Sequence, residues 1–200
     1  MYDIITLRVG QMAANCYLVV ETKSKEGIII DPGDDAEYII DTLTKRGINP
    51  TAIIATHGHF DHIMAAFAIQ KTYDIPVYVH ANDIFLVGRM RESAKHFLGI
   101  DTDPEPDVTP ISKKTLHGFT MLATPGHTPG SICLAGDGVL FTGDTIFANG
   151  AVGRTDHTYS SHIDLLKSIQ SILSLPARTK IYPGHGDPTT VGKERLFHVQ

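Results

Sequence analysis

Thr56-His57-Gly58-His59-Phe60-Asp61-His62 places three histidines and an aspartate within positions 57–62. The stretch follows the apolar run Ala52-Ile53-Ile54-Ala55 and precedes a segment with helical spacing. It therefore reads as a strand-to-helix turn, where sites are commonly built, rather than as a polar surface loop. Imidazole and carboxylate are the preferred ligands of zinc and other borderline divalent metals. A strand ending near Ala55 sends His57 and His59 to a common side. It leaves Asp61 and His62 at the mouth of the helix, able to face a second ion.

Working outward, His127, Asp144 and His185 share that context: each follows an apolar strand-like run and is preceded by a glycine, Gly126, Gly143 or Gly184. A glycine lets the backbone turn sharply and aim the next side chain across the end of a sheet. Four strand ends thus supply the metal-competent set His57, His59, Asp61, His62, His127, Asp144 and His185. One tetrahedral zinc does not need so many protein ligands. Two ions sharing a carboxylate would use them all, with His57, His59 and His127 on one ion, Asp61, His62 and His185 on the other, and Asp144 bridging.

The flanking chain predicts short strands over 4–9, 16–20 and 27–30, an antiparallel start. Asp34 or Asp35 is expected to cap a helix that runs through Arg46 and stops at Gly47. A strand over 50–55 delivers the histidine motif, a helix follows over 63–73, and a strand over 77–80. Asn82-Asp83 is read as the cap of the helix beginning at Ile84. Residues 89–99 read as broken helix and 101–110 as an irregular acidic, proline-rich segment; no role is assigned to Arg89–Pro110. Beyond it come a strand over 119–123, a hairpin of 132–135 and 139–141 about Gly136-Asp137-Gly138, and a glycine-rich loop over 148–156. A helix over 160–175 is expected to bury Ile163, Leu166, Ile169, Ile172 and Leu173. A strand over 179–182 and a short helix over 191–199 close the chain. Hairpins interrupting the strand–helix alternation point to two sheets with helices outside, not a doubly wound parallel sheet.

With 200 residues, 42% of them hydrophobic, the chain has enough material for one packed domain, 1–200. Its net charge of -5, without a block of Lys and Arg, argues against a nucleic-acid partner. Cys16 and Cys133 lie in apolar runs and read as core residues rather than a disulfide. No apolar stretch approaches a membrane span, and the first residues lack a signal-peptide pattern, so a cytoplasmic protein without membrane association is expected.

The motifs His57-x-His59-x-Asp61-His62, Pro125-Gly126-His127-Thr128-Pro129-Gly130, Phe141-Thr142-Gly143-Asp144 and Pro183-Gly184-His185-Gly186 together resemble the metal signature of the metallo-β-lactamase-fold superfamily. Gly153-Arg154-Thr155-Asp156 and the short C-terminal part resemble its glyoxalase II-like hydrolases, in a form without the extra helical domain. The resemblance implies an α/β fold, a four-layer αββα sandwich of two mixed β-sheets with outer helices. It implies that Asp31, in Ile29-Ile30-Asp31-Pro32-Gly33, is buried in support of the site. It also places Arg154 where a basic residue meets a glutathione carboxylate; the alternative is that Arg154 pairs with Asp156 to fix the loop. The family's aromatic residue after the last ligand is absent, since Gly186-Asp187-Pro188 follows His185.

Two divalent ions, zinc foremost with iron or manganese as substitutes, can hold a bridging hydroxide and polarise a carbonyl. Asp61 would orient the hydroxide and Asp144 would hold the ion pair together. Thioesters suit such a site, because a thiol of pKa ~8.5 leaves with little acid assistance. The expected activity is hydrolysis of a small-molecule thioester of the hydroxyacylglutathione type. The alternatives are a mononuclear-iron persulfide dioxygenase, since two His and one Asp also make a facial triad, a phosphodiesterase or nuclease, β-lactam hydrolysis, and a non-catalytic metal-stabilised binding domain.

Overall fold

The computed structural model describes residues 2–198; Val199, the last residue of the expected closing helix, lies outside them. The chain forms two compact units, 1–111 and 112–200, each built on one six-stranded mixed sheet.

In the first unit, β1 (Tyr2–Val9), β2 (Ala14–Glu21) and β3 (Glu26–Ile30) form the antiparallel start. Parallel pairing then adds β4 (Asn49–Ile54), β5 (Val77–Val79) and β6 (Val108–Pro110). Helices α1 (Ala36–Arg46) and α2 (Ala66–Tyr73) make the first two parallel crossovers, and Ile39, Leu43 and Ile69 enter the core with Leu18, Ile29 and Ile53. Gly47 ends α1 in the left-handed region and satisfies the carbonyls of Leu43 and Thr44. Short α3 (Ile84–Val87) and α4 (Met90–Leu98) follow. The expected broken helix is therefore continuous over α4, and the proline-rich segment ends in a strand, because β5 offers β6 an open parallel edge.

In the second unit, β7 (Thr115–Leu116), β8 (Phe119–Ala123), β9 (Ile132–Gly136) and β10 (Val139–Gly143) run antiparallel. β11 (Lys180–Pro183) pairs parallel to β10, and β12 (Thr189–Thr190) antiparallel to β11. Asp137 and Gly138 both take positive φ, the geometry of the expected two-residue hairpin. Helix α5 (His162–Leu173) buries Leu165, Ser168, Ile169 and Ile172. Ile163 and Leu166 face solvent instead, against expectation, because Leu165, Ile169 and Ile172 at helical spacing form the buried face, on which Ser168 satisfies its hydroxyl by donating to the Pro125 carbonyl. α6 (Val191–His198) closes the described chain.

Two expected helix caps are corrected. Asp35 sits at the N-terminus of α1 with φ 53° and makes no side-chain cap; its carboxylate accepts from the Gly10 amide at 2.8 Å. Asp83 likewise does not cap α3; its carboxylate accepts from the Gly58 amide at 2.9 Å. Both acids brace loops elsewhere in the first unit.

Candidate metal centre

In the first unit, β4 ends directly before the histidine motif, and a single 3-10 turn, Phe60–His62, presents Asp61 and His62. Behind the motif lies Asp31, at the end of β3 and 1% exposed. One of its oxygens accepts from the Thr56 amide at 2.7 Å. The other accepts from the Thr56 hydroxyl at 2.7 Å and faces His62 Nδ1 at 3.1 Å. Since an ionised carboxylate only accepts, the His62 proton resides on Nδ1 and Nε2 keeps its lone pair. The Thr56 hydroxyl spends its own proton on Asp31, so it accepts from His57 Nδ1 at 3.1 Å, which likewise leaves His57 Nε2 its lone pair for an ion.

One carboxylate thus fixes the tautomer of two histidines. The donor atoms of Asp31, His57 and His62 all lie within 4.8 Å of one another. That proximity alone suggests a three-residue metal cage, but both Asp31 oxygens are engaged by protein donors, so Asp31 is read as the orienting acceptor. His57 Nε2 and His59 Nδ1 approach to 3.1 Å, and His62 Nε2 lies 3.6 Å from Asp61 Oδ2. Gly33 is needed for close approach: a Cβ there would stand 1.8 Å from the Asp61 carbonyl oxygen.

In the second unit, His127 follows the β8 turn. Its Nδ1 donates to the Arg154 carbonyl at 2.8 Å, leaving Nε2 as a donor to an ion. The Ser160 hydroxyl donates to the His127 carbonyl at 2.7 Å. Asp144, at the end of β10, turns Oδ2 toward Nε2 of both His127 and His185, at 3.7 Å from each. Gly153 packs on this segment so closely that a Cβ would lie 1.8 Å from the Asp144 carbonyl oxygen. Of the glycines preceding the candidate ligands, Gly126 and Gly143 take positive φ, at 142° and 48°. Gly184 does not, and its amide bonds the Gly143 carbonyl at 2.8 Å, tying the last two strand ends together.

The donors fit a divalent metal. Separations of 3.6–3.7 Å between imidazole nitrogen and carboxylate oxygen are long for a hydrogen bond. They lie close to the about 3.3–3.6 Å that separates two ligands each roughly 2.0–2.2 Å from a common tetrahedral ion.

Arg154 forms a bidentate pair with Asp156, at 2.6 and 2.7 Å, on the exposed surface. The guanidinium holds the Asp156 carboxyl down at about 2. Neither thiol competes for the chemistry: Cys16 and Cys133 are buried and free, and burial pushes the Cys133 thiol up to about 12. Asp83, read from sequence only as a cap, is the supporting residue that sequence reasoning missed; an Asn-Asp pair before a helix carries no mark of the loop it reaches.

A family model, the metallo-beta-lactamase superfamily, matches residues 9–185. The hydroxyacylglutathione hydrolase GloC of Haemophilus influenzae is 34% identical, over 96% of this chain and 95% of its own length. Among solved structures, BLEG-1 B3 metallo-beta-lactamase superposes with a TM-score of 0.90 at 35% identity, covering 98% of both chains. TTHA1623, in a di-iron-bound form, superposes with a TM-score of 0.88 at 34% identity, covering 96% of both. The chain belongs to the metallo-β-lactamase superfamily and has its fold. With its histidine and aspartate donor clusters, it is a metal-dependent hydrolase of that superfamily. No helix among the described residues is long and apolar enough to cross a membrane.

Proposed function

We propose that the two donor sets serve one binuclear centre that hydrolyses a thioester of the hydroxyacylglutathione type. In this reading His57, His59 and His127 hold one divalent ion, Asp61, His62 and His185 hold the other, and Asp144 is shared. The observation that carries it is the Asp144 carboxylate oxygen, equidistant at 3.7 Å from His127 and His185, residues assigned to different ions. The 34% identity to GloC supports the substrate class, and the di-iron relative supports iron beside zinc or manganese as occupant.

When bound, such ions polarise a carbonyl and activate water near neutral pH. The chain's part is positioning. Asp31 holds His62 directly and His57 through the Thr56 hydroxyl, so the imidazoles meet their ion without reorganisation. Asp61 offers a carboxylate beside His62 to orient the attacking water. The leaving thiolate needs no proton from the protein, which accords with the absence of a general acid in the four motifs. Arg154 reaches a substrate carboxylate by exchanging it for Asp156.

The test measures metal per chain and S-lactoylglutathione hydrolysis on the same chelator-free preparation. About two ions per chain with hydrolysis is the expected result. One iron per chain, with oxygen uptake on glutathione persulfide and no hydrolysis, would replace this reading with the dioxygenase. Turnover of a chromogenic cephalosporin without thioesterase activity would favour the β-lactam chemistry named for BLEG-1.

A further inference from the structure

The glycine-rich loop between β10 and α5 touches each of the three candidate ligands of the second unit. The Phe147 ring stands edge-on to the His185 ring, with centroids 6.3 Å apart. Gly153 packs on the Asp144 carbonyl and against the His127 Cβ. The Arg154 carbonyl accepts from His127 Nδ1. The sides of the loop bond to each other, through a bridge between Ile146 and Val152 and the Phe147 amide on the Ala151 carbonyl at 2.8 Å. At its tip, Asn149 and Gly150 both take positive φ, at 64° and 77°. Successive amides in such a turn converge and form a concave site for an acceptor.

Glu194, on α6 and 1% exposed, fills that site. One of its oxygens accepts from the Asn149 amide at 3.2 Å, and the other from the Gly150 amide at 2.8 Å. The first also accepts from the Thr189 hydroxyl at 2.5 Å. A carboxylate is costly to bury, and here three donors meet it. The helix that delivers it is fastened in turn. The Arg195 guanidinium donates to the Leu173 and Leu175 carbonyls at the end of α5, at 2.7 and 2.5 Å. Phe197 packs on the loop tip so closely that a Cβ on Gly150 would stand 2.7 Å from its own.

We infer that Glu194 is a positioning residue of the metal centre: it pins the tip of the 147–154 loop, and the rest of that loop keeps His127, Asp144 and His185 aimed at their ions. The inference rests on the ligand assignment proposed above and is independent of the substrate. A role confined to holding α6 would touch stability alone. The contacts of Phe147, Gly153 and Arg154 carry the effect on to the ligands. A glutamine at this position presents N–H groups to one of the two backbone amides, so a donor is left unsatisfied and the tip must move.

The test compares zinc affinity, by chelator competition, with melting temperature in three variants. Glu194→Gln alters the carboxylate, Thr189→Val removes only its hydroxyl donor, and Val191→Ala thins the packing of the same helix while leaving the carboxylate intact. Zinc binding is expected to weaken about tenfold in Glu194→Gln and about threefold in Thr189→Val. Val191→Ala should bind zinc unchanged even where its melting temperature falls as far. The cobalt-substituted Glu194→Gln protein should show an altered visible spectrum, and the Val191→Ala protein an unaltered one. Unchanged affinity and spectrum in Glu194→Gln, or an equal loss of affinity in Val191→Ala, would overturn the positioning role. Should Glu194→Gln fail to fold, unchanged affinity in Thr189→Val would do the same. The ligand assignment fails separately: retention of both ions in Asp144→Ala removes it, whereas metal loss there with no change in Glu194→Gln removes the positioning role alone.

Discussion

The first unit gathers His57, His59, Asp61 and His62 on one loop, whereas the second collects His127, Asp144 and His185 from three strand ends. Their supports differ accordingly. The contiguous set is held by side-chain carboxylates, Asp31 behind the histidines and Asp83 on the Gly58 amide. The dispersed set is held by backbone: the Arg154 carbonyl on His127, Gly153 against Asp144, and the Gly184 amide on Gly143. A loop has no sheet register to fix its side chains, so buried acceptors must do it. Strand ends inherit their positions from the sheet and need only a close backbone neighbour.

The severest way to break this contrast is Asp144→Ala, which removes the shared carboxylate of the proposed centre. Metal content and hydrolysis should be lost together, as elemental analysis and rate measurement would show; retention of two ions would end the bridging role. Asp31→Asn comes next. Its amide would confront donors from Thr56 and His62, and metal affinity should fall about 10–100-fold, with His57 and His62 both affected. A competition titration with a chelator reads this, and an unchanged affinity would show that the loop needs no carboxylate brace. Gly153→Ala attacks the backbone support of the second unit. Its methyl would have to displace the Asp144 segment, at about 1–3 kcal/mol of stability by denaturant titration. Arg154→Ala should raise KM for an anionic thioester about three- to tenfold while sparing metal content; unchanged kinetics would remove its substrate role. The smallest effect belongs to Ser161→Ala, which deletes the α5 cap on the Asp164 amide and should cost about 1 kcal/mol without altering turnover.

The histidine loop was legible because its chemistry is contiguous, and the other three motifs because each sits between an apolar run and a glycine. The two-sheet class followed from hairpins breaking the strand–helix alternation. What escaped was set by tertiary context. Strands of two or three residues, such as β7 and β12, carry no periodicity, although His117-Gly118 at positive φ makes the β7–β8 turn as Asp137-Gly138 makes the β9–β10 turn. The rotation of α5 departs from the expected face because Leu165 rather than Ile163 and Leu166 joins Ile169 and Ile172, a choice between neighbouring apolar positions that periodicity alone does not make. Asp35 and Asp83 looked like caps because the local pattern for a cap and for a distant brace is the same.

Asp35 leaves a thermodynamic trace. By forgoing its side-chain cap, the start of α1 gives up about 1 kcal/mol of local stability, a built-in frustration set against the ordering of the Gly10 turn. Its first turn should therefore exchange amide protons faster than the capped start of α5.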